Sequence, residues 1–180
     1  EHIIEFNEIH HVCMEGADSG AFYMGRDWSA QGNVLRYNYF HDIAGYGLEN
    51  EASASAPWRY EAPHAAWAIY LDDCASGTTV LGNLFVRVPL GAVMIGGGRD
   101  NVVTNNVIVD SSPAVHLDAR WDEYPHYYTY QKEELEAVNY TDPPYSTKYP
   151  NLLKIYDVDP RLPVGNSITR NIISYSDDNW

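Results

Sequence analysis

The feature that most constrains this chain is a repeated pattern that carries asparagine at its sixth position. Five segments align without gaps, and in each one an alternating apolar stretch precedes the asparagine and a second short stretch follows it. Self-similarity of this kind predicts structural repeats that stack on one another. The segments are HIIEFNEIHHV from His2, NVLRYNYFHDI from Asn33, TTVLGNLFVRV from Thr78, NVVTNNVIVDS from Asn101 and NSITRNIISYS from Asn166.

The asparagine column predicts how the repeats hold together. Asparagine tolerates left-handed backbone conformations, and its amide can donate to the side-chain carbonyl of the equivalent residue one repeat away. We therefore expect stacked turns that satisfy one another through an asparagine ladder. Its members are Asn7, Asn38, Asn83, Asn106 and Asn171.

A further type of strand follows each of the first four repeats. In these segments the second and fourth residues are apolar, so a period of two directs them inward and turns the third and fifth residues outward. We predict an all-β fold, a right-handed parallel β-helix of about four to five coils with three strands per coil. The segments are AFYMGR from Ala21, AIYLDD from Ala68, AVMIGG from Ala92 and AVHLDA from Ala114.

Length, charge and cysteine content set the outer limits. The chain has 180 residues and a formal net charge of -14, with 25 acidic against 11 basic residues. We expect one folding unit over 1–180, no nucleic-acid partner and no membrane insertion, because the charge repels polyanions and no long apolar run is present. Cys13 and Cys74 predict buried free thiols, since two cysteines make neither a disulfide framework nor a metal cluster.

The asparagine column and the three-strand repeat resemble the right-handed β-helix superfamily of pectate lyases, polygalacturonases and related glycan-active enzymes over nearly the whole chain. The phrases DSGAFYMGRDW, YLDDCASG, MIGGGRDN and VHLDAR more narrowly resemble the bacterial β-helix proteins grouped around glycoside hydrolase family 141. This resemblance implies a glycan substrate and a secreted, periplasmic or cell-surface location. We also expect flanking coils of a longer parent chain.

The outward positions of the third strand predict the candidate site. Asp72 and Asp118 share one outward column and are separated by the repeat that bears Gly96, which places their backbones about 9 to 10 Å apart. An inverting glycosidase needs its two carboxyl groups about 6.5 to 9.5 Å apart. We therefore predict a glycoside hydrolase with Asp72 and Asp118 as a catalytic pair and Gly96 as an open floor between them.

Neighbouring acids leave alternatives open. Asp73 is either a third catalytic carboxylate or a turn residue before Cys74. Asp18 is a reserve candidate whose turn enters the same face, although capping and turn formation also explain an aspartate there.

Substrate contacts are expected from the same face and from two long insertions, 44–67 and 121–165. Aromatic rings cover the apolar faces of sugars, although the aromatics of these insertions are equally explained by covering the solenoid. The second insertion contains a helical pattern that starts at Tyr130 and places Leu135 on its apolar side. The predicted substrate-binding residues are Tyr23, Tyr70, His116, Arg120, Trp58 and Trp67.

The sequence is also compatible with two other functions. A polysaccharide lyase or epimerase needs cations for uronate groups, for which Arg26, Arg99 and Arg120 are available, or a calcium ion among Asp72, Asp73 and Asp118. A non-catalytic solenoid that binds glycan would leave these acids as ordinary solvated surface. Apart from that calcium ion we predict no cofactor and no metal site, and we interpret His10 and His41 as surface or loop-supporting residues.

Overall fold

The computed structural model of the chain describes residues 1–48, 59–119 and 125–177. The helices are α1 (Pro125–Ala137), α2 (Tyr145–Lys148) and a 3-10 helix (Pro150–Lys154). The strands are β1 (Ile3–Glu5), β2 (Glu8–His10), β3 (Ser19–Gly25), β4 (Val34–Arg36), β5 (Tyr39–His41), β6 (Gly47–Leu48), β7 (Tyr60–Glu61), β8 (Ala66–Asp72), β9 (Thr79–Leu81), β10 (Leu84–Val86), β11 (Val93–Gly96), β12 (Val102–Thr104), β13 (Val107–Val109), β14 (Val115–Asp118), β15 (Ser167–Thr169) and β16 (Ile172–Ser174).

Three parallel sheets take one strand each from successive repeats. Sheet A has the order β1-β4-β9-β12-β15, sheet B the order β2-β5-β10-β13-β16, and sheet C the order β3-β8-β11-β14. The pair β6 and β7 forms a separate antiparallel hairpin. The chain is therefore predominantly β with parallel sheets and few helices, an architecture that is compatible with the predicted solenoid.

The asparagine ladder joins the turns between sheet A and sheet B. The main-chain and side-chain amides of Asn38 both lie 3.0 Å from Oδ1 of Asn83 and donate to it. Asn83 repeats the arrangement on Asn106 at 2.9 and 3.1 Å, and Asn106 on Asn171 at 2.9 and 3.0 Å. Each rung thus satisfies buried amide groups of its neighbour.

The left-handed conformation expected of the ladder asparagines is instead adopted by the residue that precedes each of them. The turn bends at the residue before each asparagine, so the asparagine itself keeps a conformation that aims its side chain along the stack. The residues with positive φ are Phe6 at 57°, Tyr37 at 57°, Gly82 at 64°, Asn105 at 56° and Arg170 at 55°.

A second series of asparagine contacts was not foreseen from the sequence. Oδ1 of Asn33 accepts the main-chain N–H of His2 at 3.1 Å, and Oδ1 of Asn101 accepts that of Thr78 at 3.0 Å. Asn166 does the same for Asn101 at 2.9 Å. These asparagines occupy the first position of three aligned segments, where the chain enters sheet A.

The core lies between the three sheets and consists of alternate residues of each strand. Phe40 and Phe85 stack with ring centroids 5.2 Å apart, and both are fully buried. Leu35, Val80 and Val103 close the core from sheet A. The alternation predicted for the strands is therefore the alternation that buries them.

The second insertion forms a helical cover with its own apolar cluster. The helix predicted from Tyr130 is present but begins earlier, at Pro125, and its Leu135 is fully buried. Leu135 belongs to a cluster with Trp28 and Cys74, so the cover packs against the parallel-sheet part of the chain. Among the described residues, no helix is long and apolar enough to cross a lipid bilayer.

Two details differ from the sequence-based expectation. The first insertion ends sooner than 67, because β8 begins at Ala66 and Trp67 pairs with Gly20 inside sheet C. Both cysteines are free, but only Cys74 is buried, whereas Cys13 is half-buried at a turn with φ of 60°.

Candidate functional site

The register of sheet C produces the outward columns that the sequence indicated. Tyr23 pairs with Tyr70, Tyr70 with Met94, and Met94 with His116. Gly25 pairs with Asp72, and Gly96 pairs with Asp118. Asp72 and Asp118 consequently lie on one line of the sheet, two strands apart, with Gly96 on the strand between them.

Asp72 lies on the outward column but is buried, with only 6% of its surface exposed. Its Oδ2 accepts a 2.9 Å hydrogen bond from the Tyr23 hydroxyl, and its Oδ1 accepts the main-chain N–H of Asp73 at 2.8 Å. Partial burial, followed by the bond to Asp72, raises the pKa of Tyr23 to about 12. Tyr23 therefore remains a donor to Asp72 at any physiological pH.

Asp73 takes the turn role that the sequence left open. Its φ of 37° is left-handed, and its Oδ2 forms a 2.5 Å ion pair with Nε of Arg26. Its main-chain carbonyl accepts a 2.7 Å hydrogen bond from the Gln131 side chain of α1. The carboxylate is thus directed at a cation beside the sheet and not along the outward column of Asp72.

His116 and Asp118 form the more accessible part of the column. Nε2 of His116 lies 3.3 Å from Oδ2 of Asp118, and both side chains are partly exposed. They belong to β14, which is one of the two edge strands of sheet C in the described part of the chain. Arg120, predicted to extend this pair into a clamp, lies outside the described residues, as does Trp58.

The aromatic residues of sheet C pack against one another. Tyr23 and Tyr70 meet edge to face at 5.3 Å, and Trp67 lies 4.5 Å from Tyr70 between ring centroids. Tyr70 is only 3% exposed and donates a 3.1 Å hydrogen bond to Asp18, whereas Tyr23 is 48% exposed. Tyr23 and the half-buried Trp67 are therefore the aromatics that can touch a ligand, while Tyr70 supports them.

Asp18 keeps an exposed carboxylate at the entrance of β3. Its φ of 51° marks a turn, which agrees with the alternative that Asp18 serves turn formation. Its contact with the Tyr70 hydroxyl places it on the same face as Asp72, although beyond the line that Asp72 shares with Asp118.

Several tyrosines of the second insertion pack on an apolar cluster beside the sheets. Tyr127, Tyr128 and Tyr140 pack on the cluster around Trp28. Tyr145 and Tyr149 of the same insertion line a partly open cavity of about 460 Å³ beside Asn33 and Gln31. Sequence reasoning missed this cavity because its lining comes from segments far apart along the chain.

Two of the three cations that a lyase would use, Arg26 and Arg99, are already engaged. Arg26 is paired with Asp73, and Arg99 is buried, donating to the carbonyl of Ile155 at 3.1 Å and contacting Asp100. The pairing of Asp73 with Arg26 also leaves a poor ligand set for a calcium ion between the three aspartates.

Sheet B carries a separate group of candidate metal ligands. Glu8, His10 and His41 each offer one donor atom, and these atoms all lie within 4.8 Å of one another.

The chain matches no protein-family model, no curated protein and no solved structure. The candidate sites are therefore identified by strand register and side-chain chemistry.

Proposed function

We propose that the protein is a right-handed parallel β-helix of the glycan-active superfamily, similar to glycoside hydrolase family 141, and that it hydrolyses glycosidic bonds of a polysaccharide or oligosaccharide. The observation that carries this proposal is the placement of Asp72 and Asp118 on one outward line of sheet C with Gly96 between them. A secreted, periplasmic or cell-surface location follows from such a substrate.

The spacing favours inversion of the anomeric centre. Neighbouring strands of a sheet lie about 4.8 Å apart, so residues two strands apart have backbones about 9.6 Å apart. Inverting enzymes separate their carboxyl groups by about 6.5 to 9.5 Å to admit a water, whereas retaining enzymes need about 5 to 5.5 Å. Gly96 contributes no side chain between the two carboxyl groups, but the residue is buried and does not form the open floor expected from the sequence.

The two carboxyl groups have different surroundings and so take different roles. Asp118 is partly exposed beside His116 and is placed to activate a water as the general base. We assign the other carboxyl group, Asp72, to the general acid that protonates the leaving oxygen, and the Tyr23 hydroxyl fixes its orientation. Tyr23 and Trp67 supply aromatic surface for the sugar rings.

A second candidate is a solenoid that binds glycan without cleaving it. The burial of Asp72 favours this function, because a carboxylate that only organises Tyr23 and the Asp73 turn would be enclosed in the same way. A lyase is less well supported, since Arg26 and Arg99 are held in ion pairs.

Release of reducing sugar from a panel of plant and host glycans tests the proposal. The protein should release sugar from at least one glycan, and Asp72→Asn and Asp118→Asn should each lower the rate at least about a thousandfold, or about 4 kcal/mol of transition-state stabilisation. Asp142→Asn, the same change at an exposed residue outside sheet C, is the control and should retain the rate. Unchanged turnover in both variants would refute the pair, and binding without release would favour the second candidate.

A further inference from the structure

A cluster of metal-binding side chains lies on sheet B, away from the outward columns of sheet C. Glu8 and His10 are two residues apart on β2, and His10 pairs directly with His41 on β5. Ile9 and Phe40, which alternate with them, face the core. Because side chains alternate across a strand, Glu8, His10 and His41 all project from the outer face of the sheet.

The donor atoms converge. Nε2 of His41 lies 3.1 Å from Oε1 of Glu8, and the imidazole rings of His10 and His41 stack with centroids 4.7 Å apart. All three donor atoms lie within 4.8 Å of one another. Zinc–nitrogen and zinc–oxygen bonds of about 2.0 to 2.2 Å place tetrahedral ligands roughly 3.3 Å apart, so the side chains would have to rotate to bring their donor atoms around one ion.

His41 is also held in the orientation that metal-binding histidines adopt. Oδ2 of Asp42 lies 2.6 Å from Nδ1 of His41, which fixes the ring and reserves Nε2 for the side of Glu8. Arg87 holds Asp42 in turn, with Nε and Nη2 donating to its two oxygens at 2.6 and 2.7 Å. A carboxylate behind a histidine both orients the ring and makes its free nitrogen a better ligand.

The ligand types select the ion. Two imidazoles and one carboxylate suit zinc and the chemically similar cobalt and nickel ions, whereas calcium and magnesium prefer all-oxygen sites. Glu8 and His10 are exposed and His41 is half-buried, so an ion could enter from solvent and keep at least one position for water or another ligand.

We propose that Glu8, His10 and His41 form a binding site for a divalent transition-metal ion of the zinc type, with Asp42 as a positioning residue. The site is independent of the proposed glycosidase activity, since it uses another sheet and other residues. In the sequence His10 and His41 line up on the strand that follows the ladder and were interpreted as surface or loop-supporting residues. Their convergence with Glu8 depends on the side-chain contacts made once β2 pairs with β5.

Calorimetric titration of the complete chain with Zn²⁺ alone, after chelator treatment, tests the site. We expect one ion bound per chain, and His10→Ala and His41→Ala should each weaken binding at least about 100-fold. Asp42→Asn should weaken binding by about 10- to 100-fold with one ion still bound. Substitution with Co²⁺ should give visible absorption bands that are absent from His10→Ala and His41→Ala.

His64→Ala is the matched control, since His64 also forms a histidine–glutamate contact, 2.7 Å from Glu61, but has no second histidine beside it among the side chains that the structure describes. It should leave the zinc affinity unchanged. Thermal unfolding in chelator checks that each variant folds, and His10→Gln replaces His10→Ala if that variant does not. Absence of saturable binding, or affinity retained in both histidine variants, would overturn the site, and unchanged affinity in Asp42→Asn would overturn the role of Asp42.

Discussion

The Tyr23 hydroxyl donates a 2.9 Å hydrogen bond across two neighbouring strands to Oδ2 of Asp72. The bond joins the most exposed aromatic of the outward column to its most enclosed carboxylate. It follows from the register that pairs Tyr23 with Tyr70 and Gly25 with Asp72, because the glycine leaves room for the tyrosine to reach sideways. The same bond helps to raise the pKa of the Tyr23 hydroxyl.

We expect Tyr23 to ionise near pH 12 and Asp72→Asn to bring its pKa closer to the ordinary value of about 10. Burial and the bond to Asp72 favour the neutral phenol in the folded state. Tyr23 therefore contributes stability that is complete below about pH 10 and is lost as the pH rises through about 12. NMR titration of labelled tyrosines measures the pKa, with Tyr23→Phe assigning the signal. An identical pKa in the wild type and Asp72→Asn would contradict the coupling.

Ladder asparagines should differ in importance with their depth in the stack. Asn83 is 1% exposed and bonds to rungs on both sides, so Asn83→Ala leaves several buried amides unsatisfied and should cost about 3 kcal/mol or more of unfolding free energy. Asn7→Ala, at an exposed rung, should cost about 1 kcal/mol or less. Urea unfolding measures both. Equal losses would show that the ladder adds no stability through burial.

Gly96 should be required for turnover. A valine at this buried position places a branched side chain between Asp72 and Asp118, and we expect Gly96→Val to slow sugar release at least about 100-fold. Gly16→Val is the control, because a side chain there meets nothing within 4 Å. Circular dichroism reports the fold of each variant. Turnover by Gly96→Val at the rate of Gly16→Val would place the reaction elsewhere.

The helical cover should stabilise the folded chain through Leu135. This side chain is fully buried, so Leu135→Ala should lower the free energy of unfolding by about 2 to 4 kcal/mol. Leu153→Ala changes a leucine of the same insertion that is 49% exposed, and it should cost less than about 0.5 kcal/mol. Chemical denaturation compares the two. If the helical cover does not contribute to stability, both variants should lose an equal and small amount of unfolding free energy.

The parallel β architecture could be predicted because each repeat contains, within a few residues, the pattern that indicates it. Alternation in a segment such as Val102–Thr104 fixes which residues face inward, and the recurrence of asparagine fixes which residues stack. The position of the left-handed residue could not be read in the same way, since glycine, asparagine and arginine all occupy it. Backbone bending there is imposed by the stack and not by one residue type.

The candidate site was predictable as a set of columns but not as a set of contacts. Asp72 and Asp118 align because register follows from period two, whereas the enclosure of Asp72 depends on the Tyr23 bond. The pairing of Asp73 with Arg26 likewise joins residues 47 apart in sequence. Contacts of this range, like those between His10 and His41, arise only once the repeats have stacked.

The central claim is that Asp72 and Asp118, two strands apart across Gly96, catalyse hydrolysis with inversion. NMR spectroscopy of the first-formed sugar, before its anomers equilibrate, tests this claim most directly on a glycan that the protein cleaves. The spacing predicts that the product appears with the anomeric configuration opposite to that of the cleaved bond. A product that retains the configuration would contradict it, because retention requires carboxyl groups about 5 to 5.5 Å apart.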